Sequence, residues 1–196
     1  MTSTAAYLAL ATSAGNIVIT VHTAAAPQTT QYVRELAEAG RFDGAAFYRS
    51  TNFGVDSRRP LIQGGPLAPL FTGSGAPIPA VDLLEAVEST GATGLAHVRG
   101  TVSLARDLFS TGHVLPELFI CLDDYPELDA GGRTEPDIVG FPAFGSVTTG
   151  LDVVASIAAM ETNGASAVER LAGEMLTKPV SIYRATFETR PPESSI

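Results

Sequence analysis

Two short segments carry the residues best suited to chemistry. Arg49 closes the segment Phe47-Tyr48-Arg49, and Gln63 stands directly before Gly64-Gly65. An arginine behind two aromatic residues is expected to be half buried, yet its guanidinium keeps its charge, so it must pair or serve a site. The two glycines indicate backbone that turns tightly or leaves room for a ligand. A fixed cation and an amide beside apolar residues suit a neutral, partly polar ligand such as a peptide.

Each of these residues also has a purely structural interpretation. Arg49 on its own is as well explained by a buried ion pair, and Gln63 by a core amide with satisfied hydrogen bonds. The three histidines are scattered and show no metal-ligand spacing, so no metal or cofactor is predicted. No motif marks a catalytic serine, and the single cysteine, Cys121, lies in an apolar run where a small buried residue is expected.

The overall composition restricts the class of partner. The 196 residues are 45% hydrophobic and carry a net charge of −9, from 21 acidic and 12 basic residues. This balance argues against nucleic acid and against an anionic membrane surface as partners, because both require clustered lysine and arginine. No apolar run is long enough to span a bilayer, and the first residues lack the layout of a signal peptide. We therefore expect a cytoplasmic protein, with a mature periplasmic form as the alternative.

The elements that must position the candidate residues are mostly short strands. A hairpin is expected around residues 13–16, and Pro27 begins a helix that stops at Gly40. A second helix follows Gly150, with apolar residues at helical spacing. Further strands are expected at residues 46–49, 61–63, 102–105, 118–122, 143–147 and 180–188.

Other segments have weaker patterns. Loops are expected at residues 51–60, 64–79 and 128–142, and residues 83–89 fit either a strand or a short helix. Val168, Leu171 and Met175 continue a weak helical pattern that Pro179 ends. Since strands do not alternate with helices, we predict an antiparallel barrel or sandwich with helices at its ends. We expect the chain to form a single domain, with its core at about residues 5–189 and a frayed tail at residues 190–196.

The ordered motifs resemble those of the cyclophilins. The matching segments run in family order and cover most of residues 7–160; they include Gly15-Asn16-Ile17, Ala26-Pro27-Gln28-Thr29, Phe42-Asp43-Gly44, Phe47-Tyr48-Arg49, Ile62-Gln63-Gly64-Gly65, Ser103-Leu104-Ala105-Arg106, Glu117-Leu118-Phe119-Ile120, Phe144-Gly145-Ser146-Val147 and Gly150-Leu151-Asp152. Longer loops at 51–60 and 131–140 are similar to those of a bacterial subgroup. The resemblance implies a mainly β fold, an eight-stranded antiparallel β-barrel capped by two α-helices.

The resemblance also implies a function, peptidyl-prolyl cis–trans isomerisation of X–Pro bonds in peptides and unfolded proteins, which assists protein folding. Arg49 takes the place of the catalytic hydrogen-bond donor, and Gln63 that of its support. The implied substrate-binding positions are Gln63, Leu61, Phe119, Leu128, Glu117, Phe141 and the backbone carbonyl of Arg106. His97 matches a family position without a catalytic role.

Several positions depart from the family pattern. They are Pro60, Leu61, Leu115-Pro116, Glu117, Leu118, Glu127 and Phe141. Glu127 replaces a tryptophan that binds cyclosporin A in many members, so weak cyclosporin A binding is expected. Glu117 is expected to lie near Arg49 and to compete with substrate for it. The alternative function is a cyclophilin-like module that binds proline-containing peptides with little turnover, and the expected assembly state is a monomer.

Overall fold

Eight antiparallel strands form a closed barrel. The computed structural model describes residues 5–52, 60–107, 112–133 and 138–189. The strands are β1 (Ala6–Thr12), β2 (Gly15–Val21), β3 (Ala46–Asn52), β4 (Pro60–Gly65), β5 (Thr101–Arg106), β6 (Val114–Cys121), β7 (Ala143–Thr149) and β8 (Met175–Glu188). Their order around the barrel is β1-β2-β7-β5-β6-β4-β3-β8, with β8 returning to β1. The predicted fold class is confirmed.

The first hairpin shows how the sequence directs this architecture. Residues of β1 alternate between buried and half-buried positions, as expected when one face of a strand packs on the core. In the register of the hairpin, Leu8 pairs with Ile19 and Leu10 with Ile17, so apolar side chains meet on the inner face. The Thr12 hydroxyl donates to the Gly15 carbonyl over 2.6 Å and closes the turn.

Two longer helices pack against the barrel. They are α1 (Pro27–Glu38) and α4 (Leu151–Ala158), while α2 (Ala68–Thr72) and α3 (Thr90–Thr93) are short. The first residues of α1 have no capping side chain nearby in sequence. The Glu88 carboxylate instead accepts the Gln28 and Thr29 N–H groups, over 2.6 and 3.0 Å. A carboxylate at this position satisfies exposed N–H groups and complements the helix dipole.

Three sequence-based interpretations are corrected by the structure. Residues 83–89 form neither helix nor strand, apart from one bridge between Leu84 and Val114. Their function in the fold is to bring Glu88 to α1. The region 64–79 begins inside β4 and contains α2. Glycine and proline dominate this segment, so the sequence gives no signal of the short helix.

The largest difference concerns β8. No helix covers Val168 to Met175; a single 3₁₀ turn occupies Glu169–Leu171, and β8 already starts at Met175 and continues through Pro179. The register with β3 shifts between Phe47 and Arg49, so extra residues of β8 bulge out there. A bulge tolerates proline because its residues do not donate to the ladder.

No helix in the described part of the chain is long and apolar enough to cross a membrane. The predicted loop at 51–60 and the predicted tail fall mostly outside the described residues.

Candidate functional site

Arg49 and Gln63 lie side by side on neighbouring strands. Arg49 on β3 pairs in register with Gln63 on β4, and Arg49 Nη1 donates to Gln63 Oε1 over 2.6 Å. Only 14% of the Arg49 side chain is exposed, and Gln63 is buried. The expectation that Gln63 supports Arg49 therefore agrees with the observed contact.

A residue that the sequence did not indicate completes the surroundings of Arg49. Glu174 Oε2 accepts a hydrogen bond from Arg49 Nε over 2.7 Å and forms an ion pair with Arg49 Nη2, with 2.5 Å between the two atoms. The two residues are 125 positions apart, and Glu174 immediately precedes β8. Arg49 is thus paired, as a charged group among aromatic residues requires, and it also lines a groove.

Behind Gln63 lies a second layer of polar side chains. Gln63 Nε2 donates to the Tyr48 hydroxyl over 2.9 Å, and Tyr48 is fully buried. Burial, followed by the negative charge of Glu117, raises the pKa of Tyr48. Both amide atoms of Gln63 are therefore held, its oxygen by Arg49 and its nitrogen by Tyr48.

Glu117 belongs to this inner layer and does not contact the groove. It has no exposed surface, and its Oε1 accepts the Leu67 N–H over 2.6 Å. Burial raises the pKa of Glu117 to about 8. The expectation that Glu117 binds substrate and competes for Arg49 is corrected, because the acid that pairs with Arg49 is Glu174.

The apolar candidates gather in a cluster that is separate from the barrel core. We call it the apolar cluster; its buried members are Leu61, Ala105, Phe119, Cys121, Tyr125, Leu128 and Phe141. The rings of Phe119 and Phe141 meet edge to face, with centroids 5.4 Å apart. Four of the predicted binding residues, Leu61, Phe119, Leu128 and Phe141, are therefore brought together.

His97 packs against Phe119 of the apolar cluster. Its ring stacks on Phe119 with centroids 5.6 Å apart, and its Nδ1 lies 2.6 Å from Asp129 Oδ1. Burial lowers the pKa of His97, against the opposing effect of Asp129. This geometry agrees with a structural interpretation of His97.

A groove of about 890 Å³ joins these groups. The predicted residues that line it are Arg49, Leu61, Gln63, Arg106, Phe119, Leu128 and Phe141. Pro60, Glu117 and Glu127 also belong to the described part of the chain, but they do not line the groove. The Arg106 side chain is tied to the carbonyls of Gly112 and Gly140, over 3.1 and 2.8 Å. In such an arrangement, the apolar pocket can bind a ring, and the cationic donor can stabilise an electron pair that develops on an atom next to that ring.

The two glycines after Gln63 make room for protein, not for a ligand. A Cβ on Gly64 would lie 2.5 Å from the Ala46 carbonyl oxygen, and one on Gly65 would lie 2.5 Å from Glu117 Oε1. Neither glycine has a positive φ. The close approach of β3 and of Glu117 therefore explains this pair, which corrects the expectation of a tight turn or a ligand.

Within the described ranges, no group of three or more His, Cys, Asp or Glu side chains is arranged to hold a metal ion. Cys121 is buried in the apolar cluster, and burial raises the pKa of its thiol. The site consists of a donor, an amide and an apolar pocket.

Comparison with known proteins identifies the family. Residues 7–186 match the model of the cyclophilin type peptidyl-prolyl cis-trans isomerase/CLD family. The peptidyl-prolyl cis-trans isomerase cyp18 of Streptomyces antibioticus is 30% identical over 155 residues, which cover 78% of this chain and 83% of that protein. Peptidyl-prolyl cis-trans isomerase A of Dickeya dadantii is 26% identical over 184 residues, covering 93% and 85%.

Solved structures agree on the fold. A cyclophilin type peptidyl-prolyl cis-trans isomerase of Cryptosporidium parvum superposes with a TM-score of 0.68 at 14% identity, covering 95% of this chain and 99% of that chain. A structure of the same protein in the presence of the dipeptide Ala-Pro gives a TM-score of 0.66. With the family match across nearly all of the described residues, the chain belongs to the cyclophilin-type peptidyl-prolyl cis–trans isomerases.

Proposed function

We propose that the groove binds an X–Pro segment with the proline ring in the apolar cluster, and that Arg49 donates to the prolyl nitrogen during rotation. The observation that carries this assignment is the position of Arg49, which Gln63 and Glu174 hold on the wall of the groove that contains Phe119. The isomerase activity of the family gives the reaction, and the geometry supports these residue roles.

The chemistry requires no covalent intermediate. Amide resonance creates a rotation barrier of about 18–20 kcal/mol. When the bond twists, the prolyl nitrogen loses its conjugation and regains a lone pair, which accepts a hydrogen bond only in that state. A donor aimed at the nitrogen therefore binds the transition state better than the planar ground state, and this difference accelerates rotation.

The substrate class follows from the same arrangement. The Cryptosporidium parvum protein was solved in the presence of Ala-Pro, which supports proline-containing peptides as ligands here. A groove of about 890 Å³ accommodates residues on either side of the proline as well. We propose that exposed X–Pro bonds of unfolded proteins and loops are the substrates. The monomeric state and the cytoplasmic location stay predictions.

The decisive test is substitution of Arg49 by alanine. Loss of one oriented donor is expected to lower the isomerisation rate of a proline peptide roughly a hundred- to a thousandfold. Arg184 is exposed on β8, so Arg184→Ala is a matched control that should keep the wild-type rate. Equal rates in wild type and Arg49→Ala, both at the uncatalysed level, would instead indicate a peptide-binding module without turnover.

We also propose weak binding of cyclosporin A. Glu127 stands where many family members have a tryptophan, and it does not line the groove in the described part of the chain. A charged side chain at this position loses a large flat contact with an apolar ligand. Calorimetric titration should give a Kd well above the nanomolar range, that is, weaker binding. A nanomolar Kd would contradict the proposal.

A further inference from the structure

We propose that Glu174 is a positioning residue of the isomerase: its carboxylate, together with Gln63, sets the direction in which the Arg49 guanidinium donates to a bound X–Pro bond. This inference rests on the proposed role of Arg49 and adds to it a residue outside the sequence motifs. The contacts, the backbone and the exposure of the pair each support it.

The contacts leave Arg49 free to act while Glu174 stays bound. A guanidinium carries five N–H groups. Glu174 Oε2 accepts one from Nε, and Gln63 Oε1 accepts one from Nη1, while Nη2 forms an ion pair with Glu174 Oε2. Among the described residues, at least one N–H on each Nη atom therefore has no hydrogen-bond partner and can donate to a ligand. This count favours a positioning carboxylate over an inhibitory one that substrate would have to displace.

The backbone of Glu174 is fixed to the strand that carries Arg49. The Ser50 N–H donates to the Glu174 carbonyl over 3.0 Å, and the Glu174 N–H donates to the Leu171 carbonyl over 3.1 Å. Gly173 precedes it with φ +85°, a left-handed conformation that suits glycine. Carboxylate and guanidinium thus share one rigid support, which is the condition for precise orientation of a catalytic group.

The partial exposure of the ion pair bears on whether Glu174 contributes to folding stability or to the orientation of Arg49. About 30% of the Glu174 side chain and 14% of the Arg49 side chain are exposed, so the pair lies in the groove wall. An ion pair that keeps this solvent contact contributes less to folding stability than a fully buried one. A charge-assisted hydrogen bond to Nε, together with the ion-pair contact at Nη2, does restrict rotation of the guanidinium. Removal of Glu174 is therefore expected to change catalysis more than stability.

The first experiment measures kcat and KM separately for a proline peptide. Glu174→Ala should lower kcat about tenfold or more with KM nearly unchanged, since a misaligned donor affects the transition state most. Glu174→Gln keeps the length and one acceptor oxygen, so its kcat should lie between those of wild type and Glu174→Ala. Glu169 is an exposed acid in the same segment, and Glu169→Gln should behave as wild type.

The second experiment does not depend on turnover. The ¹⁵N–¹H signal of Arg49 Nε, assigned by its loss in Arg49→Lys, should be shifted and slow to exchange in the wild-type protein. In Glu174→Ala it should move to the position of exposed arginines. If the wild-type protein shows no isomerase activity, the proposed function fails while this signal still tests the pairing.

Urea unfolding of each variant shows whether a lower kcat results from loss of the folded structure. If Glu174→Ala does not fold, the kcat of Glu174→Gln is used in its place. An unchanged or increased kcat after removal of Glu174 would overturn the proposal. Equal losses of kcat in Glu174→Ala and Glu169→Gln would overturn it as well. So would a wild-type Nε signal that already resembles that of an exposed arginine.

Discussion

Glu117 is a carboxyl group without solvent contact, and burial raises its pKa to about 8 from 4.5. The unfolded chain releases this proton above pH 4.5, whereas the native protein keeps it up to about pH 8. Between these values the native state binds more protons, so the free energy of unfolding falls as the pH rises, by up to about 1.4 kcal/mol per pH unit.

Glu117→Gln should abolish this slope, because the amide resembles the neutral acid and can still accept the Leu67 N–H. Urea unfolding of wild type and variant at pH 5, 6, 7 and 8 measures the effect. The variant should be the more stable protein toward pH 8. Glu169→Gln removes an exposed acid and should keep the wild-type slope. Parallel curves for wild type and Glu117→Gln would contradict the assignment.

Single residues of the site were predictable to different degrees. Arg49 and Gln63 stand out because a charge or an amide is unusual among apolar residues and glycines, and they lie only 14 positions apart. Glu174 offers no such signal, since it is one acid in a polar segment and approaches Arg49 only when β8 pairs with β3. The role of Tyr48 could not be predicted either. Its hydroxyl accepts a hydrogen bond from Gln63, and a tyrosine next to a phenylalanine gives no sign of such a contact.

At the scale of elements, the glycine pair of β4 controls how closely β3 can approach. A Cβ on Gly64 would lie 2.5 Å from both the Ala46 carbonyl oxygen and the Phe47 Cα. Backbone atoms cannot move aside as a flexible side chain can. Gly64→Ala is therefore expected to force β3 and β4 apart at the point where Arg49 meets Gln63.

The expected cost of Gly64→Ala is about 1–3 kcal/mol of unfolding free energy, as for other overpacked sites. Denaturant titration measures this loss, and the isomerisation rate should fall with it. Gly91 provides the control: a Cβ there meets Ala130 Cβ at an ordinary 3.5 Å, so Gly91→Ala should be nearly neutral. Equal stabilities of the two variants would show that the strands adapt without cost.

Elements with strong local patterns were predicted well, and those defined by distant contacts were not. The hairpin of β1 and β2 and the helix after Pro27 follow from alternation and from helix-start signals. Residues 83–89 have no regular structure of their own, because Glu88 completes a helix far away in sequence. The prediction of a helix before Pro179 is wrong, because Val168, Leu171 and Met175 are apolar at helical spacing by coincidence.

For the whole molecule, closure of the barrel links the site to global stability. Arg49, Gln63 and Phe119 lie on three adjacent strands, β3, β4 and β6. The wall that they form can separate only if the barrel opens. Isomerase activity and far-UV circular dichroism should therefore disappear at the same urea concentration, in one cooperative transition. Activity lost at a much lower urea concentration would show that the site unfolds independently.

Barrel closure also has a consequence during protein synthesis. The first strand, β1, lies between β2 and β8, and β8 begins only at Met175. A ribosome adding about 5–20 residues per second needs about 10–40 seconds for the chain, while uncatalysed prolyl rotation takes tens to hundreds of seconds. Until β8 has been made, the nascent polypeptide cannot assemble its own groove. A new copy therefore cannot catalyse prolyl rotation, in its own chain or in another, while its synthesis is still in progress.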